Sequence, residues 1–325
     1  MPWERPLQFM PLYQNRVWGG RRLQTLFGRR LPGVVLPCGE SWELCDRPEA
    51  QSLLSTPVAG CVSLHDLWSR WRGEVFGAVG LAHPAARYPL LMKILDACDD
   101  LSIQVHPPAE VAAELGGEPK TEMWYVAHAE PGAKLYAGLK TGIGRAAFER
   151  GLASGRVAEL LHVLHPQQGD VLFLPSGRVH AIGAGLVVFE IQQNSDTTYR
   201  VFDWNRPGLD GQPRALHVRE SLRSIRFDDA EPALARPQAD GRVVVCEHFE
   251  VRLGSPVAGR AVGAPGEALV LALTRGQATL GGVRLGAGDF TLLPAVLPAD
   301  ARLPEAVAPN TEWLEIRLTP PPASP

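Results

Sequence analysis

The stretch LSIQVHPP, Leu101 to Pro108, sets a glutamine and a histidine two residues apart in a short apolar run that two prolines end. The strand period of two puts Gln104 and His106 on one face together with Ser102, while Ile103 and Val105 point the other way. An amide oxygen beside an imidazole nitrogen can ligate a divalent ion. The same two residues can equally be ordinary members of a strand. Further on, GDVLFLPSGRVH spaces Gly169, Pro175, Gly177 and His180 as G-x5-P-x-G-x2-H, a strand closed by a Pro-x-Gly turn with a histidine heading the next strand. Glu190 stands in the apolar run VVFEIQQ, where a carboxylate is costly unless it is paired or functional. It shares a strand face with Val188 and Gln192. Lys120 precedes Glu122 by two, Lys93 interrupts LLMKIL, Glu40 opens ESWEL, and Arg200 ends SDTTYR. Either lysine could instead run to the surface along its aliphatic stem.

The elements that must position these side chains are short strands. Thirty-three glycines and twenty-nine prolines in 325 residues favour many brief elements joined by tight turns over a helical design. LLMKILDACDDLSIQVH reads as two strands parted by a turn at Asp99 and Asp100. PAEVAAELGG reads as a short helix, and VWGG as a turn at Gly19 and Gly20. A helical stretch is expected near 64–77, where Leu64, Leu67, Trp68 and Trp71 share a face. A second is expected over 143–165 as two short helices broken near Ser154 and Gly155, with His162 and His165 on a solvated helix face. Residues 231–241 read as a linker and PPPASP as a loose tail. GDVLFLPSGRVHAI (169–182) aligns without gaps to GDFTLLPAVLPADA (288–301), which sets Ala299 opposite His180. Two related β units are therefore expected, 1–235 carrying the chemistry and 236–325 lacking this site.

The formal net charge of −3 does not recruit nucleic acid by bulk electrostatics. The five cysteines are odd in number and lack C-x-x-C spacing, which suits free thiols in a reducing cytoplasm. The first residues lack a basic segment followed by an apolar core, and no window has the length of a membrane span. A soluble, cytoplasmic protein without membrane or nucleic-acid partners, monomeric or weakly homo-oligomeric, is expected. There is no G-x-G-x-x-G after a strand, no phosphate loop and no G-x-S-x-G.

The spacing at Gly169–His180 matches the second metal motif of cupin barrels, although the asparagine usual four residues after the histidine is Ala184 here. The usual first cupin motif, His-x-His and a nearby Glu, is Gln-x-His followed by Glu122 only after a long excursion. In this particular form the chain resembles type I phosphomannose isomerases, the short bacterial form with a reduced helical insert. PLLMKILDACDDLSIQVHP, KTEMWYV, GDVLFLPSGRVHAI and FEIQQNSDTTYRVFDWNR carry the resemblance in that order, with NRVWGG, GESWEL and LLPAVLPAD beside them.

The resemblance implies a mainly β fold of two cupin-like barrels or jelly rolls with a small helical insertion. It implies one Zn²⁺ per chain, held by Gln104, His106, Glu122 and His180. That mixed N/O set also suits Mn, Fe or Co. It implies interconversion of D-mannose 6-phosphate and D-fructose 6-phosphate through a cis-enediol. Arg200 would clamp substrate oxygens and stabilise negative charge. Glu190 is the candidate base, with a histidine or a water as alternatives. Lys120 joins them as a catalytic candidate. Lys93 and Lys120, with Ser102, would hold the phosphate, and Glu40 lies at the substrate. The rivals are another metal-dependent cupin enzyme and a non-catalytic sugar-phosphate-binding cupin.

Overall fold

The computed structural model describes residues 3–33 and 36–321. The last four residues of the PPPASP tail lie outside the described residues. Strands dominate, in three large antiparallel sheets and two small ones.

The sheet that organises the site has the spatial order Val171–Leu174, Glu122–Ala129, Leu186–Gln193, Leu90–Ala97, Cys38–Leu44, Leu12–Gly20. Its alternation separates two buried faces. Met92, Ile94, Met123, Tyr125, Phe189 and Ile191 belong to one core with Val251, Val270, Phe290, Leu292, Leu314 and Ile316 of the C-terminal sheet. Leu95, Trp124, Val126, Leu186 and Val188 turn the other way and pack on Leu135, Ala137 and Ile182 of a second sheet. A strand buried on both faces reads as a continuous apolar run, as LLMKIL and LVVFEI do. Each fully buried large side chain contributes about 1.5–3 kcal/mol by its removal from water, so Lys93 and Glu190 must be held there by something specific.

The second sheet has the order Leu161–Leu164, Leu135–Leu139, His180–Ile182, Ile103–Val105, Tyr199–Phe202. Its outer face is covered by Phe148 of helix Arg145–Ala153 and by Val157. The C-terminal sheet, ordered Leu7–Gln8, Phe290–Leu293, Leu269–Arg275, Glu312–Leu318, Phe249–Gly254, Arg242–Val245, takes its edge strand from the chain's beginning. The strand orders run from edge to edge without closing, so the units are jelly-roll-like sheet pairs and not closed barrels. Among the described residues no helix is long and apolar enough to cross a membrane.

Helix Leu64–Arg70 starts at a capping box in which Ser63 and Asp66 satisfy each other's backbone N–H. It continues into Arg72–Ala82, broken at Gly77 with φ 66°. A Cβ at Gly77 would stand 2.7 Å from the Gly266 carbonyl oxygen, so only glycine allows this contact with the C-terminal unit.

Two expectations are corrected. Gly19 and Gly20 end strand Leu12–Gly20 and do not turn; the strand passes so near its neighbour that a Cβ on Gly19 would meet Gly39 N at 2.4 Å. Residues 143–165 hold one helix, then a 3-10 turn at Val157–Leu160, then strand Leu161–Leu164. His162 is thus on a strand. The helical period of that stretch gives way because Leu161–Leu164 pairs with Leu135–Leu139.

The sequence repeat has a structural counterpart. Asp170 Oδ2 accepts from Gln167 N at 2.8 Å, and Asp289 Oδ2 from Gly286 N at 2.8 Å. Both follow a left-handed glycine, Gly169 and Gly288. Each then opens a four-residue strand, Val171–Leu174 and Phe290–Leu293. The copies part afterwards: the first leads to His180, the second to a 3-10 turn at Asp300–Arg302.

Candidate metal centre and active site

Cross-strand register assembles the site. In the second sheet His180 pairs with Gln104, and Gln104 pairs with Arg200, so three candidates form one row across three strands. In the first sheet Trp124 pairs with Glu190, Glu190 with Lys93, and Lys93 with Trp42. Glu122 shares the face of Trp124, two residues away. The two rows confront each other across a cavity of about 580 Å³.

At its inner end His106, Glu122 and His180 are buried, and one ligand atom from each lies within 4.8 Å of the others. His106 Nε2 is 3.4 Å from Glu122 Oε2, and His180 Nε2 is 3.3 Å from Oε1. The other ring nitrogen of each histidine faces a backbone carbonyl, Thr197 O at 2.8 Å and Arg178 O at 2.9 Å. Those carbonyls fix the proton on Nδ1 and leave Nε2 as a lone pair towards the carboxylate. Burial, with Lys120 nearby, lowers His106 to about 4. Burial likewise lowers His180. Both rings are therefore neutral at pH 7, as ligands must be.

Glu122 tests the fit to a cation. Burial opposes its charge, yet the Lys120 ammonium holds it well below the usual carboxylate range. Its Oε1 receives no hydrogen bond. Lys120 Nζ stands 2.8 Å from Oε2 as an ion-pair contact. The two histidine–carboxylate separations are close to the edge of a tetrahedron with zinc–ligand bonds, about 3.3 Å. Gln104 is placed with Nε2 3.3 Å from His180 Nε2, and Ser102 Oγ donates to its Oε1 at 3.3 Å. A half-turn of the amide presents Oε1 to the centre and Nε2 to Ser102, an exchange of near-isosteric atoms. The residues fit a divalent metal with N/O ligands.

The remaining candidates gather around Lys93. Its Nζ is 3.5 Å from Glu190 Oε2, 3.7 Å from Glu40 Oε2 and 3.9 Å from Asp196 Oδ1, and lies over the Trp42 ring. Trp124 Nε1 donates to Glu190 Oε1 at 3.0 Å. Glu40 accepts from Arg16 Nε at 2.8 Å and Trp42 Nε1 at 2.6 Å. Burial alone would raise Glu40; Lys93, Arg16 and those bonds bring it down to about 2. The stabilisation Glu40 gives is full above its unfolded value near 4.5 and is lost as the pH falls through 2. It amounts to about 3 kcal/mol. Urea unfolding of Glu40→Gln should accordingly show a drop in stability between pH 5 and pH 3 smaller than the parent's by about 2 kcal/mol; an unchanged acid limb would show that Glu40 does not contribute to it.

The structure thus brings all ten sequence candidates to one cavity or its floor. Sequence reasoning missed Trp124, Arg16, Trp42, Asp196 and the Thr197 carbonyl. Trp124 could have been found from its place two residues beyond Glu122; a carbonyl that orients a ligand leaves no mark in residue type.

A jelly-roll-like fold with a buried His/Glu/His centre beneath a polar cavity, reached through Gln104 and Lys120, defines a metal enzyme of the cupin kind. Residues 7–118 match the model of the type I phosphomannose isomerase catalytic domain, a span that includes Gln104 and His106. The chain is 38% identical over 233 residues to a mannose-6-phosphate isomerase of Streptococcus mutans, covering 71% of each chain. It is 37% identical over 225 residues to mannose-6-phosphate isomerase ManA of Bacillus subtilis, covering 68% of each. Among solved structures, the mannose 6-phosphate isomerase from Bacillus subtilis superposes with a TM-score of 0.82 at 27% identity, over 96% of this chain and 99% of that one. A mannose 6-phosphate isomerase bound with zinc and yttrium shares the fold with a TM-score of 0.71 at 19% identity, over 97% and 99%. The chain belongs to the type I phosphomannose isomerase family.

Proposed function

We propose that this cavity interconverts D-mannose 6-phosphate and D-fructose 6-phosphate, with a zinc ion held by Gln104, His106, Glu122 and His180. The observation that carries the reading is Glu122: a fully buried carboxylate whose one charge partner is Lys120, faced by two neutral imidazoles at metal-ligand spacing. When bound, the ion supplies Lewis acidity to the substrate's C1 and C2 oxygens.

The protein's own groups do the rest. Glu190, across the cavity, takes the proton from C2 and returns it to C1. Trp124 and Lys93 hold it in place, and its carboxylate is set by packing at the Glu190↔Lys93 pair. Arg200, one strand from Gln104, faces the charge that develops on the enediol oxygens. Lys120 offsets the charge of Glu122 and can donate to a substrate oxygen. Two sheets hold these groups, so the geometry is built before the substrate arrives. In this reading residues 236–325 are a supporting unit, joined to the first through the core on the far face of Leu90–Ala97.

A coupled assay with mannose 6-phosphate tests the reaction. Activity should vanish after dialysis against a chelator and return with about one equivalent of Zn²⁺. Full activity in a verified metal-free sample would end the metal assignment. Oxygen uptake would point to a different cupin chemistry.

A further inference from the structure

A sugar phosphate carries two negative charges on the end that does not react, and the charges of this cavity are unevenly compensated. On the inner side every cation already has an acid. Lys93 has Glu190, Glu40 and Asp196, Lys120 has Glu122, and Arg16 meets both oxygens of Glu40 at 2.8 and 3.3 Å. A phosphate beside Lys93 would approach three carboxylates. The outer wall differs. Arg200 forms no ion pair among the described residues; Nη1 donates to Ala215 O at 2.9 Å and Nε has no partner.

Arg214 lines the same cavity from a ribbon that folds back on itself. Pro207 pairs with Pro213, and Gly208 N donates to Gln212 O at 2.7 Å. The ribbon is tied to the sheet where His217 N donates to Arg200 O at 2.8 Å. Buried Asp203 fixes the Arg214 fork, accepting from Nε at 2.6 Å and Nη2 at 2.5 Å. It accepts from Arg206 as well, at 3.1 Å. Two guanidiniums thus share one buried carboxylate. A guanidinium has five donors; the edge turned to Asp203 leaves Arg214 Nη1 without a recorded partner among the described residues. Asp210, also on the ribbon, is exposed and caps its own turn by accepting from Gln212 N. Burial lowers the Arg200 guanidinium, and repulsion from Arg214 adds to it against the pull of Asp203.

We infer that Arg214, aimed by Asp203 on the 203–216 ribbon, binds the phosphate group of the substrate at the outer wall of the cavity, and Arg200 beside it is left for the reacting end. Lys93 then serves the carboxylates Glu40, Glu190 and Asp196, and not the phosphate that the sequence assigned to it. The inference rests on the sugar-phosphate reading and deepens it. A phosphate fixed at the ribbon sends C1 and C2 inward, towards Glu190 and the histidines.

Calorimetric titration of the zinc-loaded protein with inorganic phosphate tests this without turnover. Arg214→Gln should weaken phosphate tenfold or more, the loss of a charge-assisted contact, with metal content retained and the melting temperature somewhat lowered, since Asp203 then keeps only Arg206. Arg214→Lys should recover part of the affinity, because the charge returns without the fork. In the same variants KM for mannose 6-phosphate should rise far more than kcat falls. Phosphate affinity equal to the parent's in both variants would overturn the assignment, as would loss of affinity in Lys93→Met with none in Arg214→Gln. If the parent binds phosphate through Arg214 but does not isomerise mannose 6-phosphate, the ribbon site stands and the functional reading fails.

Discussion

In a His180→Ala variant, bound zinc should fall from about one equivalent to near zero, and turnover of mannose 6-phosphate by about a thousandfold or more. The ring provides one of the three buried ligand groups, with His106 and Glu122, and the variant removes its Nε2 from the centre. Loss of a Lewis acid worth several kcal/mol corresponds to at least three decades in rate. The contrast with Arg200→Ala makes the result specific. Arg200 occupies the next position in the same cross-strand row but is not a ligand, so that variant should keep its zinc. It should lose about a hundredfold to a thousandfold in kcat, the cost of removing one donor from a developing oxyanion. Metal analysis and steady-state rates on both variants decide it. Zinc retained at one equivalent in His180→Ala would show that the buried cluster is not the metal site.

The sequence carried the metal side of this arrangement further than the sugar side, for physical reasons. Gln104 and His106 are two residues apart on a strand, and a period of two is local. The Pro-x-Gly turn before His180 is local too, and its strand follows it. What brings His180 beside Gln104, and Gln104 beside Arg200, is register between strands far apart in the chain, set by cores that no short window shows. The misread turn at Gly19 and Gly20 has the same origin. Glycine marks a turn or a close approach, and only the position of Gly39 says which. Strand Leu161–Leu164 was hidden because its partner, Leu135–Leu139, overrides local helical preference. For Lys93, residue type gave the charge but not the acids around it. Glu40, Glu190 and Asp196 come from three separate segments, and together they surround the lysine with carboxylates.

That cluster gives Glu190→Gln the second large effect. The amide has nearly the same shape, and its oxygen can still accept from Trp124 Nε1, so the fold and the zinc should remain. Lys93 would keep Glu40 and Asp196 as partners. Only the capacity to take up a proton is removed. If Glu190 carries the proton between C2 and C1, kcat should drop by about a hundredfold to ten-thousandfold, the range of a positioned acid–base group, with KM little changed. The sharper readout is isotopic. In D₂O the parent should exchange hydrogen at C2 of mannose 6-phosphate with solvent, followed by NMR, and the variant should not. Exchange at the parent's rate would remove Glu190 as the base. A drop in melting temperature with exchange intact would make it a structural counter-ion of Lys93. Both tests turn on the same geometric fact: Glu190 reaches the cavity from the sheet opposite His180, so a sugar held between the sheets meets the base and the metal from different sides.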